Sequence, residues 1–210
     1  MKFKIAIFIS GRGLNLENIL KAIKNGELGN IEIVCVFSNK IDAYGLEIAK
    51  LANIPTIVLE SKNFKNEKEK YDDGVLKLIS PFNPDLICLA GYMKLLTPRF
   101  ISNFQEKIIN IHPSLLPSFK GLDGQKQAFD YGVKIAGCTT HYVVPEMDAG
   151  TIISQAAVTL ENCTNEDELA KKILKAEHYL YIYTLKTISN DIINIDELKE
   201  KAYKENILIN

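Results

Sequence analysis

Short β-branched apolar runs alternate with segments whose apolar positions recur every three to four residues through the first ninety positions of the chain. The runs predict strands at 4–9, 31–38, 56–59, 85–90 and 107–111, and their nearly continuous apolar character suits burial on both faces. Between them Leu16, Ile19, Leu20 and Ile23 share one helical face, as do Leu46, Ile48, Ala49 and Leu51, and then Val75, Leu76 and Ile79. Strand, helix and strand in repetition predict an α/β fold, a doubly wound, mostly parallel sheet with helices on both faces. After Pro117 the pattern changes. Longer strand candidates at 134–144 and 151–160 are joined by the short segment 145–150, a spacing that fits a hairpin and an antiparallel C-terminal edge. A helix is predicted over 166–188, with Thr164 or Asn165 as its N-cap and acidic residues in its first turn. The last twenty residues carry no clear period. With no repeat, low-complexity tract or linker, residues 1–210 read as a single domain.

Composition narrows this picture modestly: 47% hydrophobic and 24% charged residues describe an ordinary globular chain. A formal net charge of −1 lacks the electrostatic footprint of a nucleic-acid binder. No apolar segment approaches the roughly 18 residues of a membrane span, and the first strand is too short for a signal peptide, so a cytoplasmic protein without membrane contact is expected. Cys35, Cys88, Cys138 and Cys163 form no C-x-x-C pair, and three lie in predicted strands. They read as buried thiols. His112, His141 and His178 have no ligand-like spacing, and no metal is expected.

Candidate chemistry concentrates in Asn110-Ile111-His112-Pro113-Ser114-Leu115-Leu116-Pro117. On a strand, Asn110 and His112 point to the same side. A carboxamide there can donate to a developing oxyanion while the imidazole handles a proton. The two prolines stop regular structure and are expected to hold the following loop open beside the pair. Asp148, in the connection between two predicted strands, is the partner that would favour the imidazolium by charge and hydrogen bonding. Taken singly, a histidine at a strand end is usually a satisfied polar group and Asp-x-Gly usually a turn; their combination carries more.

A second feature is Ser10-Gly11-Arg12-Gly13-Leu14-Asn15, where a strand runs through glycines into a helix whose free N–H groups suit an anion. It is neither a P-loop nor a dinucleotide fingerprint, and a tight turn capped by Asn15 accounts for it equally well. His141 shares a strand side with Thr139 and Val143, facing either a cleft or a hydrogen-bonded place in the core. Glu177 and His178 on the long helix read, by themselves, as an exposed pair. The mixed charges of 62–70 suit a solvated loop or helix start whose lysines could meet an acidic substrate tail.

Together these segments resemble the phosphoribosylglycinamide formyltransferase family, within the wider formyltetrahydrofolate-using formyltransferases. The resemblance runs from the first strand to His178. It rests on Ser10-Gly11-x-Gly13-x-Asn15, Phe37-Ser38-Asn39-Lys40, Leu89-Ala90-Gly91-Tyr92-Met93, the octapeptide from Asn110, Asp148-Ala149-Gly150 and Ala176-Glu177-His178, in that order. It implies a formyltransferase-like fold that moves the formyl group of 10-formyltetrahydrofolate, a co-substrate, to the amine of glycinamide ribonucleotide in purine synthesis. It implies Asn110, His112 and Asp148 as the catalytic trio. Gly13, Leu14 and Asn15 would receive the substrate phosphate and Glu177 its ribose. The folate would lie against Met93, Lys94, Leu95, Leu96, Asn110, Val144, Pro145, Glu146, Met147 and Asp148, with Lys68 near its glutamate tail. The expected partners are these two small molecules, bound by a monomer or homodimer.

The chain departs from the family pattern at three places. Leu14 stands where a small hydroxyl residue is usual, Gln125 where a histidine is frequent, and Lys94 where arginine is common, exchanging a planar fork for a point charge. The same trio would also serve a formyltetrahydrofolate hydrolase. From another class, a noncatalytic nucleotide-binding module would share the sheet, and a sugar-nucleotide N-formyltransferase would need a larger nucleotide-binding surface.

Overall fold

The computed structural model describes residues 2–190 and 195–210. The chain divides into two compact units, Met1–Asn110 with Val143–Pro145, and Ile111–Tyr142 with Glu146–Asn210.

The first unit holds β1 (Phe3–Ile9), α1 (Leu14–Lys24), β2 (Ile31–Ser38), α2 (Gly45–Leu51), β3 (Thr56–Val58), α3 (Lys68–Ile79), β4 (Leu86–Leu89), α4 (Pro98–Asn103) and the start of β5 (Ile108–His112). Its strands are all parallel, in the order β3-β2-β1-β4-β5, with Ile5 opposite Leu86 and Leu89 opposite Asn110. Every side chain from Ile5 to Ile9 is fully buried, so β1 is covered on both sides, as its unbroken apolar run predicts. Ala6 and Phe8 join Phe37, Tyr71, Val75, Ile79 and Phe100 in one core, which places α3 and α4 on that side. Ile9, of the opposite parity, lies against the first residue of α2: a Cβ at Gly45 would sit 2.5 Å from its Cδ1. Helices therefore cover both faces of these strands, the doubly wound arrangement read from the sequence.

Aromatic rings organise this core. Phe8 lies 4.7 Å from Phe37 and meets Tyr92 edge-on at 5.4 Å. Such pairs contribute about 0.5–1.5 kcal/mol beyond simple area burial. The hydroxyls of Tyr71 and Tyr92 bond each other at 3.1 Å, which satisfies two polar groups inside an apolar cluster. Burial pushes the Tyr71 phenol up to about 12 and that of Tyr92 higher still.

In the second unit, β6 (Ile135–Tyr142), β7 (Ile152–Thr159) and β8 (Ile207–Ile209) form antiparallel pairs in that order. The predicted hairpin is β6 and β7. Around them lie α5 (Gly124–Tyr131), α6 (Glu166–Ile188) and α7 (Ile195–Lys204). Ala136, Cys138, Ala156 and Val158 pack with Leu169, Ile173, Ala176 and Leu180 of α6 in one core. The hydroxyls of Thr140 and Thr184 meet at 2.8 Å in the same layer. The even positions of β6 thus face α6, and its odd positions, Gly137, Thr139 and His141, face the other way.

Of the two cap candidates, Asn165 takes the role: its side chain accepts from Glu168 N–H at 3.0 Å. Thr164 instead donates from N–H and hydroxyl to the Glu168 carboxylate, holding that acid below its usual range. The C-terminal region, which shows no period by eye, forms α7 and β8. Cys35, Cys88 and Cys138 are buried in strands as expected, whereas Cys163 lies beyond β7 and is only half-buried. Among the described residues, no helix is long and apolar enough to cross a membrane.

Candidate active site

In the first unit the chemistry of interest lies where β1 runs into α1. Gly13 is the residue before α1 and has φ 76°, a left-handed conformation that glycine adopts freely. A Cβ at Gly13 would sit 2.6 Å from Gly45 Cα, and Gly45 N–H donates to the Gly11 carbonyl at 3.0 Å. The turn and the start of α2 therefore meet backbone to backbone. Leu14 opens α1 and Asn15 is its second, buried residue, so the alternative of Asn15 as a side-chain cap does not hold: α1 has no side-chain cap bond. Its first turn presents main-chain N–H groups at the positive end of the helix dipole, which suits an anion.

Ser10 braces this turn. Its hydroxyl donates to Asn39 Oδ1 at 2.5 Å and accepts from Met93 N–H at 2.8 Å, while its own N–H donates to the Gly91 carbonyl. Asn39 in turn donates to Ser61 Oγ at 3.4 Å. The ends of β1, β2 and β4 are thereby tied by residues from three of the motifs singled out in the sequence. In the segment after β4, Met93 and Leu95 are 67% and 63% exposed, yet Leu96 belongs to the core. Lys94 Nζ lies 4.6 Å from the Tyr71 ring centroid, a cation–π contact. Lys68 is the exposed first residue of α3. Val144 is half-buried and Pro145 exposed, just after Val143 N–H bonds the Ile108 carbonyl.

β5 carries Asn110 and His112 two positions apart, so strand alternation sets both side chains to one side of it. His112 is buried, and its Nε2 lies 2.9 Å from the Phe119 carbonyl. A carbonyl only accepts, so Nε2 carries hydrogen. Asp148 Oδ2 stands 3.4 Å from His112 Nδ1 and receives the Gly121 N–H at 2.9 Å. A carbonyl on one nitrogen and a carboxylate on the other form a setting in which the ring can carry charge and hand over a proton. Asp148 has φ 49° in the connection after β6. That connection turns back so closely that a Cβ at Gly150 would fall 1.7 Å from the Tyr142 carbonyl oxygen, so glycine is required there.

His141 combines the two roles the sequence left open. Its Nδ1 bonds the Tyr142 carbonyl at 2.9 Å, and its Nε2 lies 3.7 Å from Asp148 Oδ1. Burial pushes its pKa down, opposed by the Tyr142 carbonyl and by Asp148. Glu177, expected as an exposed helix residue when read by itself, is 7% exposed in α6. Gln125 is the half-buried second residue of α5. Glu146 and Met147 are exposed on the Asp148 connection, and Met147 Cε lies 3.5 Å from where a Cβ on Gly121 would be. The loop after His112 departs from expectation: it is bonded down onto β6 and β7 through Thr139 and Gln155, not held open by its prolines. Among the described residues, no group of three or more His, Cys, Asp or Glu side chains is arranged to hold a metal ion.

Residues 3–185 match the family model described as formyl transferase. The chain is 43% identical to phosphoribosylglycinamide formyltransferase of Haemophilus influenzae over 183 residues, 87% of this chain and 85% of that protein. It is 38% identical to the trifunctional purine biosynthetic protein adenosine-3 of Gallus gallus over 97% of its own length, but spans only 20% of that relative. Among solved structures, the phosphoribosylglycinamide formyltransferase of Anaplasma phagocytophilum superposes with a TM-score of 0.83 at 45% identity, covering 91% of this chain and 88% of that one. Glycinamide ribonucleotide transformylase 1 of Symbiobacterium toebii does so with a TM-score of 0.86 at 36% identity, over 90% and 89%. The superpositions extend over both units and bear out the mostly parallel α/β sheet with its antiparallel C-terminal strands. With most of its length matched by the family model and by a curated relative of nearly equal extent, the chain belongs to the formyl transferase family.

Proposed function

We propose that this protein transfers the formyl group of 10-formyltetrahydrofolate to the amine of glycinamide ribonucleotide. The observation that carries the reading is the His112 imidazole held between the Phe119 carbonyl and the Asp148 carboxylate, in a chain whose relatives of similar length bear this activity in their names. The neutral amine attacks the formyl carbon and an oxyanion forms. Asn110 and protonated His112 stabilise it, an effect whose loss in comparable sites costs about 10²- to 10³-fold in rate. Asp148, facing Nδ1, offsets the positive charge that the ring takes on in this step. The proton leaving the amine reaches the departing folate nitrogen through His112 or a bound water, and no covalent enzyme intermediate is needed.

In this reading the N–H groups of Gly13, Leu14 and Asn15 receive the substrate phosphate, and Glu177 holds its ribose. The folate occupies the segments 93–96 and 144–148, with Lys68 toward its glutamate tail. Leu14 offers no side-chain hydroxyl, which leaves phosphate recognition to the backbone. Residues 1–210 would act as one formyltransferase domain in the cytoplasm, a reading supported by a family match that crosses both units.

One assay tests the proposal: purified protein with 10-formyltetrahydrofolate, with glycinamide ribonucleotide present or omitted. Tetrahydrofolate release that requires the ribonucleotide is the expected result. Equal formate release without it identifies a hydrolase, and no turnover in either arm leaves a binding module.

A further inference from the structure

We propose that Gln155 and Thr139 are positioning residues for formyl transfer, acting as a clamp on the main chain that follows His112; this rests on the activity proposed above. The two residues are direct partners across the antiparallel β6–β7 ladder, so their side chains project to the same face. The Thr139 hydroxyl is fully buried. It donates to the Ser114 carbonyl at 2.7 Å and accepts from Leu116 N–H and Gln155 Nε2, each at 3.0 Å. One donation and two acceptances use everything a hydroxyl has. Gln155 Nε2 also donates to the Leu116 carbonyl at 2.9 Å. Two side chains thus engage three main-chain groups of the segment between the two prolines.

The neighbouring position on the same side of β6 supports the same segment by shape. A Cβ at Gly137 would fall 2.9 Å from Leu115 Cδ2, so glycine leaves the space that Leu115 fills. Beyond the clamp, Ser114 Oγ donates to the Ser118 carbonyl at 2.6 Å, and Ser118 immediately precedes the Phe119 whose carbonyl takes the His112 Nε2–H. The route from Gln155 to the imidazole is therefore a short series of hydrogen bonds through rigidly held backbone. Neither Gln155 nor Thr139 touches His112. What the clamp fixes is where the Phe119 carbonyl stands, and with it the ring's orientation and the hydrogen bond that Nε2–H donates.

The test compares Thr139→Val, which keeps shape and loses the hydroxyl, with Thr139→Ser, which keeps the hydroxyl, and with Gln155→Met. Displacing a reacting group by about 1 Å can cost on the order of 10²-fold. Thr139→Val and Gln155→Met are expected to lower kcat by roughly 10- to 100-fold. KM for the ribonucleotide should stay within about twofold, since ground-state binding is untouched. Thr139→Ser is expected to restore most of the rate. In parallel, NMR of the His112 ring should show a slowly exchanging Nε2–H proton, held by the Phe119 carbonyl, in the wild type and a faster-exchanging one in Thr139→Val and Gln155→Met. A folded Thr139→Val or Gln155→Met protein with wild-type kcat and an unchanged ring spectrum overturns the proposal. If Thr139→Val does not fold, Gln155→Met, at a half-buried position, decides by the same two readouts. Wild-type protein inactive in the formyl-transfer assay refutes the proposed activity instead, while the ring spectrum still decides whether the clamp orients His112.

Discussion

The turn between β1 and α1 and the cluster around His112 are built on opposite plans. In the turn the groups proposed to bind are main-chain N–H donors, and side chains are kept away: Gly13 and Gly45 approach so closely that neither tolerates a Cβ without displacement. Around His112 the groups proposed to act are side chains, and the main chain supports them through the Phe119 carbonyl and the Gly121 N–H. The first arrangement is exposed to failure by steric intrusion, whereas the second fails by a change of charge or proton inventory. Mutations that look equally small should therefore act through different kinetic constants.

The largest effect is expected on the charge side of this comparison. Asp148→Asn removes the carboxylate from His112 Nδ1 at nearly constant shape, and kcat should fall by about 10² or more, the scale of acid–base assistance. Steady-state kinetics measure it, and an unchanged kcat would remove Asp148 from the mechanism. Next comes Gly13→Ala, which places a methyl 2.6 Å from Gly45 Cα at φ 76°. It should destabilise by roughly 1–3 kcal/mol and raise KM for the phosphate-bearing substrate more than it lowers kcat. Urea unfolding with paired kinetics reads both, and a selective loss of kcat would contradict the contrast between the two plans.

The smallest effect concerns His141, which burial holds neutral below the usual imidazole pKa. Asp148, His112 and Lys120 are the charged or titratable groups acting on it. Above pH ~6.5 the ring is neutral folded and unfolded, so its stabilising contribution is complete. As pH falls below that, the unfolded chain binds the proton first, and stability is lost until the folded ring also protonates. One such group contributes at most about 1.4 kcal/mol per pH unit. Unfolding of wild type and His141→Asn between pH 7.5 and 5 should show the steeper loss in the wild type. Parallel curves would mean that His141 does not titrate differently in the two states.

Most of the regular elements were legible because their signals repeat. Strands buried on both faces, Ile5–Ile9 of β1 and all of β4, leave unbroken apolar runs, and α6 has both an Asn165 cap and a long apolar stripe. His112 and Asp148 were legible as candidates because they stand in two motifs, the octapeptide from Asn110 and Asp148-Ala149-Gly150, whose combination carries more than either residue alone. The short helices α4 and α5 escaped because Pro98–Asn103 and Gly124–Tyr131 hold too few apolar positions to establish a period, unlike the leucine- and isoleucine-rich α2. Thr97 followed by Pro98 was the available cue for α4: Thr97 Oγ1 does accept the Phe100 N–H. What no reading of residue types could supply are the Phe119 carbonyl and Gly121 N–H, because peptide groups carry no residue identity. The Gln155–Thr139 clamp was hidden for a related reason: cross-strand partners are set by register, which is a property of the folded pair.

The Phe119 carbonyl has a consequence for anyone tracing tolerance through saturation mutagenesis. Because every amino acid offers the same carbonyl, the cap on His112 is blind to the side chain at 119. Its ring packs on Tyr131 at 5.8 Å, so replacements there would be graded by how they fill that contact and by their ease at φ 54°. A scan would score 119 as a packing position, although its oxygen is the hydrogen-bond partner of His112 Nε2. Function at this point is encoded in the path of the chain, where a substitution profile does not register it.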